Sequence, residues 1–144
     1  VSPEIVFDQG IGDLFIVRDA GNVLGPVELD SIEFAALYLK ASFILVMGHE
    51  ECGAVKAVMA GTTQDIENVA SLISPALKGK QGASVEVCVK ANVDNVVRQL
   101  NTNGPLSKLI KQGKLAVRGA YYDFISGKVE LLPEQTMASS NSGK

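Results

Sequence analysis

The chain has few of the residues that bind metal ions or form disulfides. Its 144 residues include one histidine, His49, and two cysteines, Cys52 and Cys88. Two cysteines in a domain of this size do not make a disulfide framework, which favours a reducing compartment. We therefore expect a cytoplasmic protein, and a targeting signal ahead of Val1 stays open as the alternative.

Long apolar runs and clusters of positive charge are also missing. No run approaches the ~20 consecutive apolar residues that a membrane-spanning helix needs. The formal net charge is −3, and the lysines and arginines form no basic cluster. Since binding to nucleic acid or to an anionic membrane requires a positive surface, we expect neither as a partner.

Apolar residues, in contrast, are abundant, at 47% of the chain against 20% charged residues. This composition and the chain length indicate a single globular domain, which we place at residues 1–132. Residues 133–144 are polar and rich in serine. We expect them to form a C-terminal tail that is mobile or packed on a partner.

Short apolar runs alternate with segments of helical periodicity. A helix is predicted from Pro26 to Lys40, and four further helical segments follow between Ala54 and Ile110. The order strand, helix, strand is typical of a right-handed crossover. We therefore predict an α/β fold, in which a mainly parallel β-sheet is flanked by helices and carries an antiparallel edge strand. The predicted strands are Leu14–Arg18, Phe43–Met47, Leu115–Tyr121 and, after a hairpin around Ser126 and Gly127, Lys128–Leu131.

The apolar run Phe43–Met47 leads into a His-x-x-Cys pair, the most informative feature of the chain. In a parallel sheet, ligands collect beyond the carboxyl ends of the strands, and zinc prefers imidazole and thiolate as donors. If a helix begins after Gly48, His49 and Cys52 lie on one side of its first turn. Two donors do not close a zinc site, so a third has to come from elsewhere.

Other interpretations of these residues stay open. A lone histidine at a strand end is often a hydrogen-bonded structural residue, and a cysteine in an apolar context is usually a small core residue. Cys88 lies in the apolar stripe of a predicted long helix, so packing is its expected role and zinc binding the minor alternative. A nucleophilic Cys-His pair is the weaker enzyme hypothesis, because nothing marks an orienting group or an oxyanion hole. At least one of Glu50 and Glu51 is expected to be solvated.

Several motifs resemble the β-class carbonic anhydrases in their order and spacing. The most specific is the string His-x-x-Cys-Gly-Ala-Val-Lys after an apolar strand, and an Arg-x-Ala-Gly-Asn turn adds to it. The resemblance covers the chain from Val1 to about Leu132. The matching segments are Gly12–Asn22, Ser31–Ala35, Gly48–Lys56, Gly119–Asp123 and Ser126–Glu130.

The resemblance implies a zinc lyase that hydrates carbon dioxide reversibly to bicarbonate and a proton. In this family one zinc ion per subunit is held by Cys, His and Cys, and His49 and Cys52 match the second and third of these ligands. Ala20, Gly21 and the backbone N–H of Gly53 match positions that line the family's substrate pocket. The resemblance also implies a homodimer or a higher even oligomer.

Two departures from the family pattern concern the site. The family's first zinc cysteine lies in a Cys-x-Asp-x-Arg strand, which directly precedes the segment at Val1 and pairs between the strands matched by Leu14–Arg18 and Phe43–Met47. That cysteine and the Asp-Arg pair are absent from this chain, so its catalytic residues stay unassigned. Asp19 replaces the family's usual Asn or apolar residue, and a turn-forming role is expected for it. We expect a truncated enzyme with impaired activity, and the alternative is a catalytically silent, zinc-free relative that acts in assembly or binding.

Overall fold

The computed structural model describes residues 1–134, which form a three-stranded mixed sheet with helices packed against it. The predicted α/β class is confirmed. The helices are α1 (Pro3–Val6), α2 (Pro26–Leu37), α3 (Gly53–Ala60), α4 (Glu67–Ile73), α5 (Val85–Thr102) and α6 (Gly104–Lys111), and the strands are β1 (Phe43–His49), β2 (Ala116–Tyr122) and β3 (Val129–Leu131). A short 3₁₀ turn, Ser74–Leu77, extends α4.

The sheet has the order β1-β2-β3. Strands β1 and β2 run parallel, in a register that pairs Phe43 with Ala116 and His49 with Tyr122. The connection between them contains α3 to α6, as a parallel crossover requires. Strand β3 pairs antiparallel with β2, where Ala120 faces Leu131. Three of the four predicted strands are therefore confirmed, together with the antiparallel edge.

The fourth predicted strand, Leu14–Arg18, is wrong. This segment has no regular secondary structure, and Phe15 remains 50% exposed. An apolar run becomes a strand only when a neighbour pairs with its backbone N–H and C=O groups. Within residues 1–134 no strand lies beside Leu14–Arg18, and β1 has only β2 as its neighbour. The sequence pattern was therefore overridden by the lack of a pairing partner.

Helix α5 packs across β1 and β2, and its apolar face lies in the main core. The side chain of Ser84 accepts a hydrogen bond from the N–H of Val87 at its start, which satisfies a donor at the helix terminus. Close approach of α5 to the sheet depends on glycine at two strand positions. A Cβ at Gly48 would lie 2.6 Å from Val89 Cγ1, and one at Gly119 would lie 2.8 Å from Val93 Cγ1.

The β2–β3 hairpin is closed as the sequence predicts. The N–H of Asp123 donates to the carbonyl of Lys128, and the N–H of Gly127 donates to the carbonyl of Asp123. Asp123 Oδ1 also accepts from the backbone N–H and the hydroxyl of Ser126. These hydrogen bonds hold the pKa of the Asp123 carboxyl below its ordinary value.

The proposed division of the chain stays a prediction. The domain at residues 1–132 is described throughout, whereas the polar tail predicted at 133–144 lies outside the described residues from position 135 onward. In the part of the chain that the structure describes, no helix is both long and apolar enough to cross a lipid bilayer.

Candidate metal and substrate site

His49 is the last residue of β1, at the carboxyl end of the parallel pair. Its Nδ1 lies 2.8 Å from the carbonyl oxygen of Glu50. Because a carbonyl oxygen only accepts, Nδ1 must be the donor, and in the neutral imidazole Nε2 then carries a free lone pair. This is the tautomer that a metal ligand with a backbone hydrogen bond adopts.

Cys52 does not share a helical turn with His49, so that part of the sequence prediction is wrong. The strand continues through His49, and Glu51 then turns the chain with a left-handed φ of 56°. Helix α3 begins only at Gly53, and Cys52 is its N-cap residue. The reason is that the chain needs two residues to leave the sheet before the first helical bond, from the N–H of Lys56 to the carbonyl of Cys52, can form. The Cys52 thiol is free and buried.

The two acidic residues between them behave differently. Glu50 accepts a hydrogen bond at Oε2 from the N–H of Phe124, at 3.0 Å, and thereby ties the β2–β3 hairpin to the end of β1. The Phe124 ring lies 5.4 Å from the imidazole of His49, measured between centroids. Glu51 forms an ion pair with Lys56, and both side chains are substantially exposed, so the pair contributes little to stability. The expectation that one of them is solvated therefore holds for Glu51.

The turn that carries the predicted pocket residues lies against the start of α3. Gly21 is buried and has a φ of 77°, and a Cβ added to it would lie 3.1 Å from the Cβ of Ala54 and 2.7 Å from Ile73 Cδ1. Ala20, the residue before Gly21, is exposed. Gly53 is exposed as well, and nothing lies within 4 Å of the position of its absent Cβ. The structure therefore brings the Gly21 turn, the end of β1 and the start of α3 together.

Asp19 has the turn-forming role that the sequence indicates. Its Oδ1 accepts a hydrogen bond from the N–H of Val23 at 2.9 Å. Burial raises the pKa of the Asp19 carboxyl above its ordinary value; the Val23 hydrogen bond opposes this shift, and the negative charge of Glu28 adds to it.

The described residues supply two donors of the kind that zinc prefers, but they do not complete a zinc site. Within residues 1–134, no group of three His, Cys, Asp or Glu side chains is placed to hold a metal ion. Cys88 is buried on the apolar face of α5, and neither it nor Asp19 forms a three-donor group with His49 and Cys52 in this part of the chain. Because a catalytic zinc needs three protein donors, His49 and Cys52 fit only part of such a centre.

Two hydrogen bonds beside the site escaped the sequence reasoning. Glu50 reaches Phe124 across 74 positions, and Asn92 in α5 donates from Nδ2 to the carbonyl of Gly21 across 71 positions, at 2.7 Å. No local pattern reveals a contact of that sequence separation. The one available signal is that Asn92 is a polar residue inside the valine-rich stripe of α5.

Comparison with known proteins identifies the family. A sequence model of the carbonic anhydrase family matches residues 1–129. A carbonic anhydrase of Mycolicibacterium smegmatis is 36% identical over 141 residues, which cover 91% of this chain and 68% of that protein. Carbonic anhydrase 2 of Mycobacterium tuberculosis is 35% identical with the same coverage. The chain thus spans about two thirds of the length of these relatives.

Solved structures agree with the sequence matches. The Coccomyxa β-carbonic anhydrase in complex with acetazolamide superposes with a TM-score of 0.81 at 26% identity, covering 92% of this chain and 66% of that one. Tetrameric β-carbonic anhydrases of the ascomycete Sordaria macrospora share the fold at a TM-score of 0.74 and 21% identity, over 91% of this chain and 74% of theirs. The chain therefore belongs to the β class of the carbonic anhydrase family.

Proposed function

We propose that this protein is a zinc-dependent carbonic anhydrase, which converts carbon dioxide reversibly to bicarbonate and a proton. The family match over residues 1–129 carries the proposal. It is supported by the position of His49 at the carboxyl end of a parallel strand, where α/β proteins bind their ligands.

His49 and Cys52 are the proposed zinc ligands, with one zinc ion per subunit. The hydrogen bond from His49 Nδ1 to the carbonyl of Glu50 supports this role, because it leaves Nε2 free and fixes the ring orientation. Phe124 packs beside the ring and is itself anchored by Glu50. The third donor is proposed to be a thiolate of the kind that the family's Cys-x-Asp-x-Arg segment supplies.

Ala20, Gly21 and the backbone N–H of Gly53 are the proposed lining of the substrate pocket. Gly53 is the first residue of α3, so its N–H has no partner within the helix and is free to donate. Gly53 leaves open space, because nothing lies within 4 Å of an added Cβ there, and a small space of this kind suits an uncharged molecule of three atoms. Carbon dioxide and bicarbonate are accordingly the proposed small-molecule partners.

A catalytically silent relative that acts in assembly or binding is the second candidate. It is favoured by the lack of a three-donor group within residues 1–134. For the same reason, the 144-residue chain on its own is proposed to bind zinc weakly and to hydrate carbon dioxide poorly.

Assembly into a homodimer or a higher even oligomer is proposed for either candidate. Helix α2 supports it, because Phe34 and Tyr38 stack with centroids 5.4 Å apart while Tyr38 remains 72% exposed. Exposed aromatic surface of this kind is typical of protein interfaces. The cytoplasm is the proposed compartment, since Cys52 and Cys88 are both free thiols.

Zinc analysis and stopped-flow carbon dioxide hydration test the proposal on two proteins, the 144-residue chain and a chain extended ahead of Val1 by a Cys-x-Asp-x-Arg strand. We expect one zinc ion per subunit and zinc-dependent hydration in the extended chain, with both much reduced in the shorter one. An extended chain that binds no zinc and shows no hydration would favour the silent relative. Zinc-dependent hydration by the shorter chain would show that another of its groups serves as the third donor.

A further inference from the structure

Asn92 is a fully buried polar side chain on the apolar face of α5. Its neighbours along that face include Val89, Val93 and Val96, all buried. Burying an amide costs free energy unless its polar atoms are hydrogen-bonded, so a buried Asn among valines calls for a physical role. Its Nδ2 donates to the carbonyl of Gly21 at 2.7 Å, which joins α5 to the turn beside the proposed pocket.

The Gly21 turn needs support from other elements, because residues 19–24 belong to no helix or strand and lack the regular backbone hydrogen bonds of those elements. Gly21 and Asn22 both lie in the left-handed region, with φ values of 77° and 42°. Glycine enters this region without steric cost, and asparagine does so more readily than most residues with a side chain, so the sequence permits this turn without fixing it. On one side, Asp19 Oδ1 holds the N–H of Val23; on the other, Asn92 holds the carbonyl of Gly21.

Two further polar atoms at this position are buried and unpartnered within residues 1–134. They are Asn92 Oδ1, which accepts, and Asn22 Nδ2, which donates. Asn22 follows Gly21 directly, and its Oδ1 lies 3.4 Å from where a Cβ of Gly48 would be. A buried amide atom without a partner is costly, so these two atoms mark the contact between α5 and the turn as a place where polar groups are held out of solvent.

We propose that Asn92 is a positioning residue, which holds the Gly21–Asn22 turn in its left-handed conformation and so fixes one wall of the proposed pocket beside His49. Asn92 acts through the turn and is not itself in contact with substrate. The consequence for substrate rests on the proposed function, whereas the attachment of the turn does not.

Hydrogen exchange of the native 144-residue chain tests the attachment directly. Asn92→Leu keeps a side chain of similar size and removes both polar atoms, and Asn92→Asp keeps the shape but replaces the donating amide. The reporter is the amide of Val23, whose bond to Asp19 Oδ1 depends on the turn. We expect exchange across residues 19–24 to become about ten-fold faster or more in both variants, relative to the β2 amides, as for loss of a buried hydrogen bond.

Leu100→Ala is the matched control, because Leu100 is also fully buried in α5 but lies eight positions beyond Asn92. It should destabilise the core without selectively speeding exchange at residues 19–24. If Asn92→Leu does not fold, Asn92→Asp decides the question. Exchange across residues 19–24 that stays at the original rate relative to β2 in the folded Asn92 variants would overturn the proposal.

Steady-state hydration kinetics of the strand-extended enzyme, with and without Asn92→Leu, test the consequence for substrate. We expect KM for carbon dioxide to rise several-fold with a smaller change in kcat and with zinc content unchanged. A faster-exchanging turn in a protein that shows no hydration in any form would leave the positioning role standing and refute the proposed function. An active enzyme whose KM and exchange are both unaltered by the substitution would refute the positioning role alone.

Discussion

Gly48→Ala is expected to destabilise the protein through a steric conflict that can be worked out from the structure. A Cβ at position 48 would lie 2.6 Å from Val89 Cγ1 and 2.8 Å from Val93 Cγ2. Both distances are too short for carbon atoms, which approach favourably at about 3.5–4.0 Å. Both valines are fully buried, and a β-branched side chain in a helix is confined largely to one rotamer. Helix α5 or strand β1 must therefore move.

Overpacking of this kind costs about 1–3 kcal/mol. For a domain of this size, we expect the melting temperature to fall by about 4 °C for each kcal/mol. Since His49 follows Gly48 directly, the displacement should also weaken zinc binding in the strand-extended protein. Urea denaturation and a thermal scan measure the loss of stability, and zinc titration measures the change in affinity.

A double-mutant cycle with Val89→Ala isolates the cause. Val89→Ala removes the atom nearest to the new methyl group, at the cost of a cavity. If the conflict is real, Gly48→Ala should cost less in the Val89→Ala background, by about 0.5–3 kcal/mol of coupling. Strictly additive losses in the cycle would refute the steric explanation, and an unchanged stability of Gly48→Ala would refute the close approach itself.

Three further predictions concern the site and its surroundings. Gly53→Ala adds a methyl group where nothing lies within 4 Å, so the free energy of unfolding in urea should rise by up to about 0.5–1 kcal/mol. Because Gly53 is a proposed pocket residue, hydration by the strand-extended enzyme should fall. A loss of stability would contradict the open space. Cys52→Ala should abolish zinc binding in the strand-extended protein, and Cys88→Ala, which removes a buried core thiol, should retain it; full zinc stoichiometry after Cys52→Ala would show the ligand assignment to be wrong. Because the folded-state pKa of Asp19 is raised above 3.8, the folded protein binds this proton more tightly than the unfolded chain, and its contribution to stability is lost as pH rises through the folded pKa. Asp19→Asn keeps the acceptor for Val23 without the charge, so the variant should gain more stability at pH 7 than at pH 4, and a larger gain at pH 4 would contradict the sign.

The local sequence pattern was sufficient to predict a helix, strand or turn where its formation depends mainly on its own residues. The continuous apolar run of β1 indicates a strand, and turn residues at Ser126 and Gly127 predict the hairpin that follows β2. Helical spacing places Cys88 in the buried stripe of α5, and the structure confirms it there. The α/β class follows, because a parallel pair of strands requires a helical crossover.

What depends on distant partners was decided only by the tertiary structure. Leu14–Arg18 reads as a strand, yet without a neighbour to pair with its backbone it stays irregular. The relation of His49 to Cys52 depends on how the chain leaves the sheet, and one left-handed residue, Glu51, separates the strand end from the helix start.

Around the site, too, local sequence determined some features and tertiary structure determined others. The His-x-x-Cys spacing is written in the sequence and, with the Arg-x-Ala-Gly-Asn turn, was enough to recognise the family. The hydrogen bonds that hold its neighbourhood, from Phe124 to Glu50 and from Asn92 to Gly21, join residues more than 70 positions apart. Sequence periodicity indicates which face of an element is apolar. It does not indicate which distant backbone group a buried polar atom will contact. For Asn92, that contact is determined by the packing of α5 on the sheet.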